Sequence, residues 1–247
     1  MLNSLQALSL QTQGNKNKLN EYYMKKTLLN IALTSTLLTA SVASFNASAE
    51  KGIAGIEGLS GNVGVVSQYF FRGIAQTTTA STSGGLDLEK GGFYAGTWAA
   101  DVQDGIEVDF YTGYGIETDS GVSFNAGFTT YQYTGDFDSA YNEINLSAAY
   151  GVFSLSYNIG THEEDKDLDI DESDYDFISL TIEGESGLYA TVGSWGKDFD
   201  GEYVELGYGT SISGFDIGVA LISNSDELDV ETGKGEESFV LSIGASF

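Results

Sequence analysis

The chain has 247 residues, with 36 acidic against 10 basic side chains, a formal charge of −26, no cysteine and one histidine. Such a charge repels phosphate polymers and excludes nucleic acid as a partner, and the missing thiols exclude a disulfide framework and thiolate metal sites. Proline is absent where ordinary usage gives about 12; a central strand cannot carry proline, so composition points to a chain of mostly paired sheet.

Met24-Lys25-Lys26 supplies a positive start, 28–43 (LLNIALTSTLLTASVA) an apolar run, and Ala47-Ser48-Ala49 a small-residue cleavage site. These are the three parts of a secretory signal peptide, read here as 24–49 with Glu50 as the first mature residue. The run is too short and too rich in Ser and Thr to span a membrane as a helix. Residues 1–23 carry no signal logic of their own and are expected to be a misassigned N-terminal extension. The exported domain is then 50–247, whose basic residues are Lys51, Arg72, Lys90, Lys166, Lys197 and Lys234.

Beyond Glu50 the pattern has period two, which argues strands. Phe239, Leu241, Ile243, Ala245 and Phe247 alternate with Val240, Ser242, Gly244 and Ser246; Phe153, Leu155, Tyr157 and Ile159 alternate with Ser154, Ser156 and Asn158. In chain order the strands are predicted near 62–73, 81–89, 92–100, 106–116, 121–132, 139–150, 152–161, 174–184, 187–195, 202–211, 214–223 and 237–247. Their lengths suit the roughly 9–11 residues of a membrane-crossing barrel strand. Short connections at 90–91, 119–120, 150–151, 185–186 and 213 alternate with longer ones at 74–80, 101–105, 133–138, 162–173, 196–201 and 224–236. Short turns on one side and long loops on the other mark an outer-membrane barrel with both termini in the periplasm. The expected fold is therefore all-β, a transmembrane antiparallel barrel of about twelve strands in the bacterial outer membrane. A soluble sandwich or lipocalin-like barrel shares the period but not the leader or the loop alternation.

The segments GNVGVVSQYFFRGIAQT (61–77), GGLDLEKGGFYAGTWAADV (84–102), DFYTGYG (109–115) and GSWGKDFDGEYVELGYG (193–209) resemble the TorF-type porin family of proteobacterial outer-membrane proteins. The resemblance covers about 60–247, and SQYFFRG and GFYAGTW are its more specific parts. It implies an outer-membrane barrel with a channel role and names no substrate. It also implies that the terminal Phe247 is an assembly signal read by the barrel assembly machinery.

If the apolar phase faces lipid, the polar phase faces the lumen. That places Asp87, Glu89, Glu107, Asp109, Glu117, Glu143, Glu183, Glu205 and Asp216 inside, with Arg72 as the one inward base. Glu107, Asp109, Glu143 and Glu205 fall in the extracellular half near Arg72 and are the candidate pore lining, a carboxylate ring that would favour cations. Twelve strands lie between a side-chain-filled barrel and an aqueous one. The many small inward residues, Gly113, Gly127 and Gly207 among them, favour a narrow open passage, or alternatively serve curvature and close packing. Trp98 and Trp195 fit either phase.

The loop 162–176 (HEEDKDLDIDESDYD) begins like a calcium loop at Asp165, Asp167 and Asp169, but Ile170 stands where the turn needs glycine. A solvated acidic loop and a looser divalent-ion role against lipopolysaccharide phosphates both remain open. His162 is expected alone in that loop, no nucleophile motif accompanies it, and neither an enzyme nor a cofactor is expected. The functional expectation is a porin-like, cation-favouring channel for passive diffusion of small solutes, lined by Arg72, Glu107, Asp109, Glu143 and Glu205, with the carboxylates biasing permeation. The alternative is a closed barrel serving surface adhesion or envelope stability. The expected partners are outer-membrane lipids, lipopolysaccharide and the assembly machinery.

Overall fold

The computed structural model describes residues 53–229 and 234–247; the expected leader, the expected cleavage site before Glu50 and the expected 1–23 extension lie outside them. Alternating sequences pair into a ladder because every strand places its apolar side chains on one face and its polar ones on the other. Twelve long strands form this ladder: β1 (Leu59–Val66), β4 (Ser81–Lys90), β5 (Phe93–Val102), β6 (Gly105–Glu117), β7 (Ser123–Gly135), β8 (Tyr141–Tyr150), β9 (Phe153–His162), β10 (Ser173–Glu183), β11 (Leu188–Lys197), β12 (Glu202–Ile212), β13 (Phe215–Asn224) and β14 (Glu237–Ser246). Two further strands, β2 (Phe70–Phe71) and β3 (Ile74–Ala75), form a separate two-residue hairpin.

Each long strand pairs antiparallel with its sequence neighbour, and β1 closes the circle by pairing with both β14 and β4. The result is a closed twelve-strand barrel, which leaves no open sheet edge. The last residue seals the β1–β14 seam: Phe247 N–H donates to Gly61 O at 2.9 Å, and Gly61 N–H donates to Phe247 O at 2.8 Å.

The first strand is shorter than its sequence suggests. Instead of running from 62 to 73, β1 ends at Val66, and 67–80 folds back into the barrel around the β2–β3 hairpin. The run Tyr69-Phe70-Phe71 has no alternation with which to continue a half-buried strand, and all three rings pack inside. The connection expected over 101–105 is also only the two-residue turn Gln103–Asp104, with β5 and β6 paired up to Val102↔Gly105. The other boundaries lie within three residues of expectation.

The outward phase is apolar around the whole circumference: Val65 on β1, Phe110 on β6, Leu155 on β9, Leu206 on β12 and Phe239 on β14 are all exposed. The inward phase is mostly polar and buried. This is the reverse of a soluble barrel, whose apolar side chains fill the inside.

Candidate functional site: the barrel interior

The 67–80 segment determines what the interior can do. It leaves the wall after Val66 and re-enters at Ser81, and these two residues are paired neighbours, so the wall is complete without it. At its tip, Arg72 (φ +50°) and Gly73 (φ +86°) occupy the turn between β2 and β3. Two consecutive positive φ values are the geometry of a two-residue hairpin turn that usually takes Asn-Gly. The left-handed conformation costs an ordinary residue about 1–2 kcal/mol, yet here it holds an arginine. At Gly73 a Cβ would lie 2.7 Å from Tyr203 Cβ, so only glycine fits.

The Arg72 guanidinium is 2% exposed and makes a bidentate ion pair with Glu143 on β8: Nη1 donates to Oε2 at 2.6 Å and Nη2 to Oε1 at 2.7 Å. It also lies 4.6 Å from the Phe177 ring centroid, 4.8 Å from Phe71 and 5.5 Å from Trp195. Trp195 Nε1 donates to Arg72 O at 3.1 Å and Asn224 Nδ2 to Gly73 O at 2.8 Å, so both tip carbonyls are held by the wall.

The candidate pore-lining carboxylates are all buried. Glu107 accepts from the Tyr69 hydroxyl of the inserted segment at 2.7 Å. Glu143 accepts from Arg72 and from Asn145 Nδ2. Glu205 accepts from the Tyr189 hydroxyl at 2.5 Å. Asp109 is 4% exposed and its Oδ1 has no hydrogen-bond partner among the described residues. Arg72 is thus inside, as the sequence implied, but it reaches there from the hairpin tip and not from a wall strand.

At several of the small inward positions, rings from neighbouring strands fill the space that the sequence suggested for a passage. Tyr94 of β5 lies over Gly113 and Gly127, Tyr175 over Gly160, and Tyr189 over Gly207; a Cβ at any of these glycines would meet the tyrosine within 2.4 Å. Close packing is therefore the reading that holds at these positions. Trp98 and Trp195 both face inward, Trp98 edge-on to Tyr69 at 5.7 Å and Trp195 against Phe177 at 5.0 Å.

Towards the end carrying the short turns, the interior becomes polar and free of the hairpin. Thr129 Oγ1 donates to Asn145 Oδ1 at 2.8 Å, and Asn145 Nδ2 to Asn158 Oδ1 at 3.2 Å. The Ser123, Ser147 and Ser154 hydroxyls are buried without a hydrogen-bond partner among the described residues, and buried hydroxyls of this kind are commonly matched by water.

His162 is not a loop residue on its own. It ends β9, its Nε2 is 2.8 Å from Asp138 Oδ1, and its ring stacks on Tyr141 at 4.1 Å. Tyr141 OH donates to the other oxygen of Asp138 at 2.8 Å. The nearby Ser139 hydroxyl donates to Glu163 O and not to the imidazole. In the acidic loop, Asp165 and Ile170 form an isolated antiparallel bridge, and Asp165 Oδ1 accepts from the Asp167 and Leu168 amides. Its first carboxylate is therefore engaged in an Asx-type turn.

Fold and interior together define an inside-out, twelve-strand antiparallel β-barrel with a hairpin inserted from its long-loop end. The chain belongs to the Gcw_chp family, described as a bacterial protein of unknown function, whose sequence model matches residues 50–185. That match carries neither the TorF name nor an activity. No curated relative matches the sequence. A structure solved in a study of the in-meso crystallization of membrane proteins superposes with a TM-score of 0.52 at 14% identity, over 76% of this chain and 83% of that one. At that identity the likeness bears on the fold alone. The structure titled KdgM porin aligns at 10% identity with a TM-score of 0.49, over 76% of this chain and 98% of that one. The outer membrane protein opdK from Pseudomonas aeruginosa aligns at 13% identity with a TM-score of 0.40, over 78% and 67%.

Proposed function

We propose that the protein is an outer-membrane channel for passive diffusion of small solutes, cation-favouring when open, and that this structure is its shut state. The observation that carries the reading is the inverted distribution of side chains. The outer wall exposes Phe110, Leu155, Leu206 and Phe239, while Arg72, Glu107, Asp109, Glu143 and Glu205 are buried inside the same strand span. Ionisable groups at membrane depth are costly and mark conduction or transport by default. A barrel that served only as a scaffold would be better filled with apolar side chains, since a buried ion pair is often no more stable than its hydrophobic replacement.

Two further features support it. The wall closes without 67–80, so a passage can exist once the hairpin leaves. The unpartnered serine hydroxyls make the short-turn half a place for water. Four carboxylates against one guanidinium bias that passage towards cations.

The second reading is a permanently closed barrel that works through its acidic loops. It is favoured by the close packing of the hairpin against Phe177, Trp195 and Tyr203. Planar-bilayer recording of the purified protein across a salt gradient tests the first reading. The expected result is discrete conductance steps with a reversal potential favouring potassium over chloride. Silence from both the full chain and a variant lacking the hairpin would give the closed barrel the better claim.

A further inference from the structure

We propose that the 67–80 hairpin is the gate of this barrel, that the Arg72–Glu143 ion pair is its latch, and that Arg72 is its voltage sensor. The inference rests on the channel reading and adds what opens the channel.

Three independent features lead to it. The first is the hinge. Val66 and Ser81 are register partners, so the fourteen residues between them form a loop whose ends are already together. Compact loops of about 6–16 residues with close ends are frequently functional. Ser67 stays bonded to Leu241 of β14, and beyond it the loop can swing with the Val66↔Ser81 pair intact, at the cost of the bond from Gln103 N–H to Gln76 O.

The second is the latch. Arg72 takes a left-handed backbone conformation at φ +50°, and it is held there by two bonds to Glu143, by Trp195 bonding to its carbonyl, and by the Phe71, Phe177 and Trp195 rings around its guanidinium. Strained residues persist only where their surroundings over-determine them, and such residues cluster at switches. When the hairpin leaves, the turn can relax, and Glu143 keeps a partner in Asn145.

The third is the charge. Between Ser67 and Ala80 the sequence is SQYFFRGIAQTTTA, and Arg72 is its only charged side chain. Outward movement of the hairpin therefore carries one net positive charge towards the long-loop end. Voltage acts on a moved charge in proportion to the fraction of the field it crosses. Opening should be favoured when the long-loop side is negative, with a steepness of at most about 50-fold per 100 mV, the limit for one charge crossing the whole field. The aromatic cage leaves when the hairpin does, because Phe71 belongs to the hairpin while Phe177 and Trp195 stay on the wall.

The test is single-molecule recording in planar bilayers at both polarities, on four proteins of confirmed heat-modifiable fold: the full chain, Arg72→Gln, Glu143→Gln, and a variant with residues 68–79 replaced by two glycines. The full chain should open at one polarity only, each molecule showing a single sign whichever way it inserts. Glu143→Gln should raise open probability at least tenfold and keep the polarity dependence, since the sensor is intact. Arg72→Gln should open equally at both polarities. The shortened variant should conduct continuously. If the shortened variant conducts while the full chain opens without regard to polarity, or Arg72→Gln keeps the full chain's polarity, the gate inference is overturned and the channel reading stands. If the shortened variant folds and never conducts, the channel reading falls and the inference with it.

Discussion

At the scale of single residues, the interior is governed by which ring lies over which glycine. Gly160 and Gly115 both face inward, but Tyr175 occupies the space above Gly160, whereas above Gly115 the nearest atom is 3.8 Å from an ideal Cβ. Gly160→Ala should therefore destabilise by about 1–3 kcal/mol through overpacking, and Gly115→Ala by much less. Denaturant unfolding of the detergent-solubilised protein measures the difference, and equal midpoints would contradict the packing described. The sequence showed that these glycines point inward; it did not show that the filler is a tyrosine on the adjacent strand. Strand period fixes the face of a residue but not the rotamer of its neighbour. The same limit applies to His162, whose partner Asp138 lies 24 residues away across a loop. Removing Glu143's charge partner is a further residue-scale test. Arg72→Ala leaves a buried carboxylate uncompensated, a change that costs about 3–5 kcal/mol when the charge stays buried. A loss well below that range would show that Glu143 gains water as the hairpin loosens.

At the scale of elements, the wall was legible because most of its strands alternate, with the phase left open only around Trp98 on β5 and Trp195 on β11, and β1 was not because its continuation does not alternate. Val63 and Val65 alternate with Asn62 and Gly64, but Tyr69, Phe70 and Phe71 follow in succession. A hairpin with two-residue strands falls below the length at which any period can be detected. The Arg-Gly pair at its turn was the available signal, since a glycine after a φ-positive residue marks a tight hairpin. Outward positions carry a depth-dependent prediction. Leu155→Arg on β9 should destabilise by roughly 2–4 kcal/mol if it lies near the bilayer midplane, and Thr134→Arg at the rim of β7 by about 0–1 kcal/mol. Folding titrations into lipid vesicles compare the two, and similar losses would mean that the apolar belt does not face lipid. Phe247 belongs at this scale as well. Its backbone completes the β1–β14 seam through two hydrogen bonds to Gly61, and its ring is exposed. Deleting it should lower the yield of heat-modifiable, protease-resistant barrel in cells, both by removing the seam contacts and by removing the assembly signal that the family resemblance implies. An unchanged yield would remove Phe247 from both roles.

At the scale of the whole molecule, the barrel combines an apolar exterior with an interior that buries many polar and charged side chains. The even strand count was readable from the sequence, and so was the alternation of short turns with long loops except at Gln103–Asp104 and at 118–122, which is as long as 136–140. The insertion of 67–80 was not, because it rests on tertiary contacts between that segment and strands as distant as β8, β11 and β13. Of the carboxylates expected as a ring, Glu107 and Glu143 are bonded directly to the inserted segment. Once the hairpin leaves, those two lose their partners there and join Asp109, which has none for its Oδ1. The interior should therefore be more negative in the open state than in the shut one, and a narrow low-dielectric passage screens such charge poorly.

The central claim is that an aqueous, cation-favouring passage lies behind the hairpin. Its most direct test is the reversal potential of the hairpin-shortened barrel across a potassium chloride gradient. The predicted result is continuous conductance with potassium preferred over chloride, a preference reduced by the double change Asp109→Asn and Glu205→Gln and little altered by neutralising acids in 163–174. A folded barrel that passes no current, or one whose selectivity follows the loop acids and ignores Asp109 and Glu205, would contradict it.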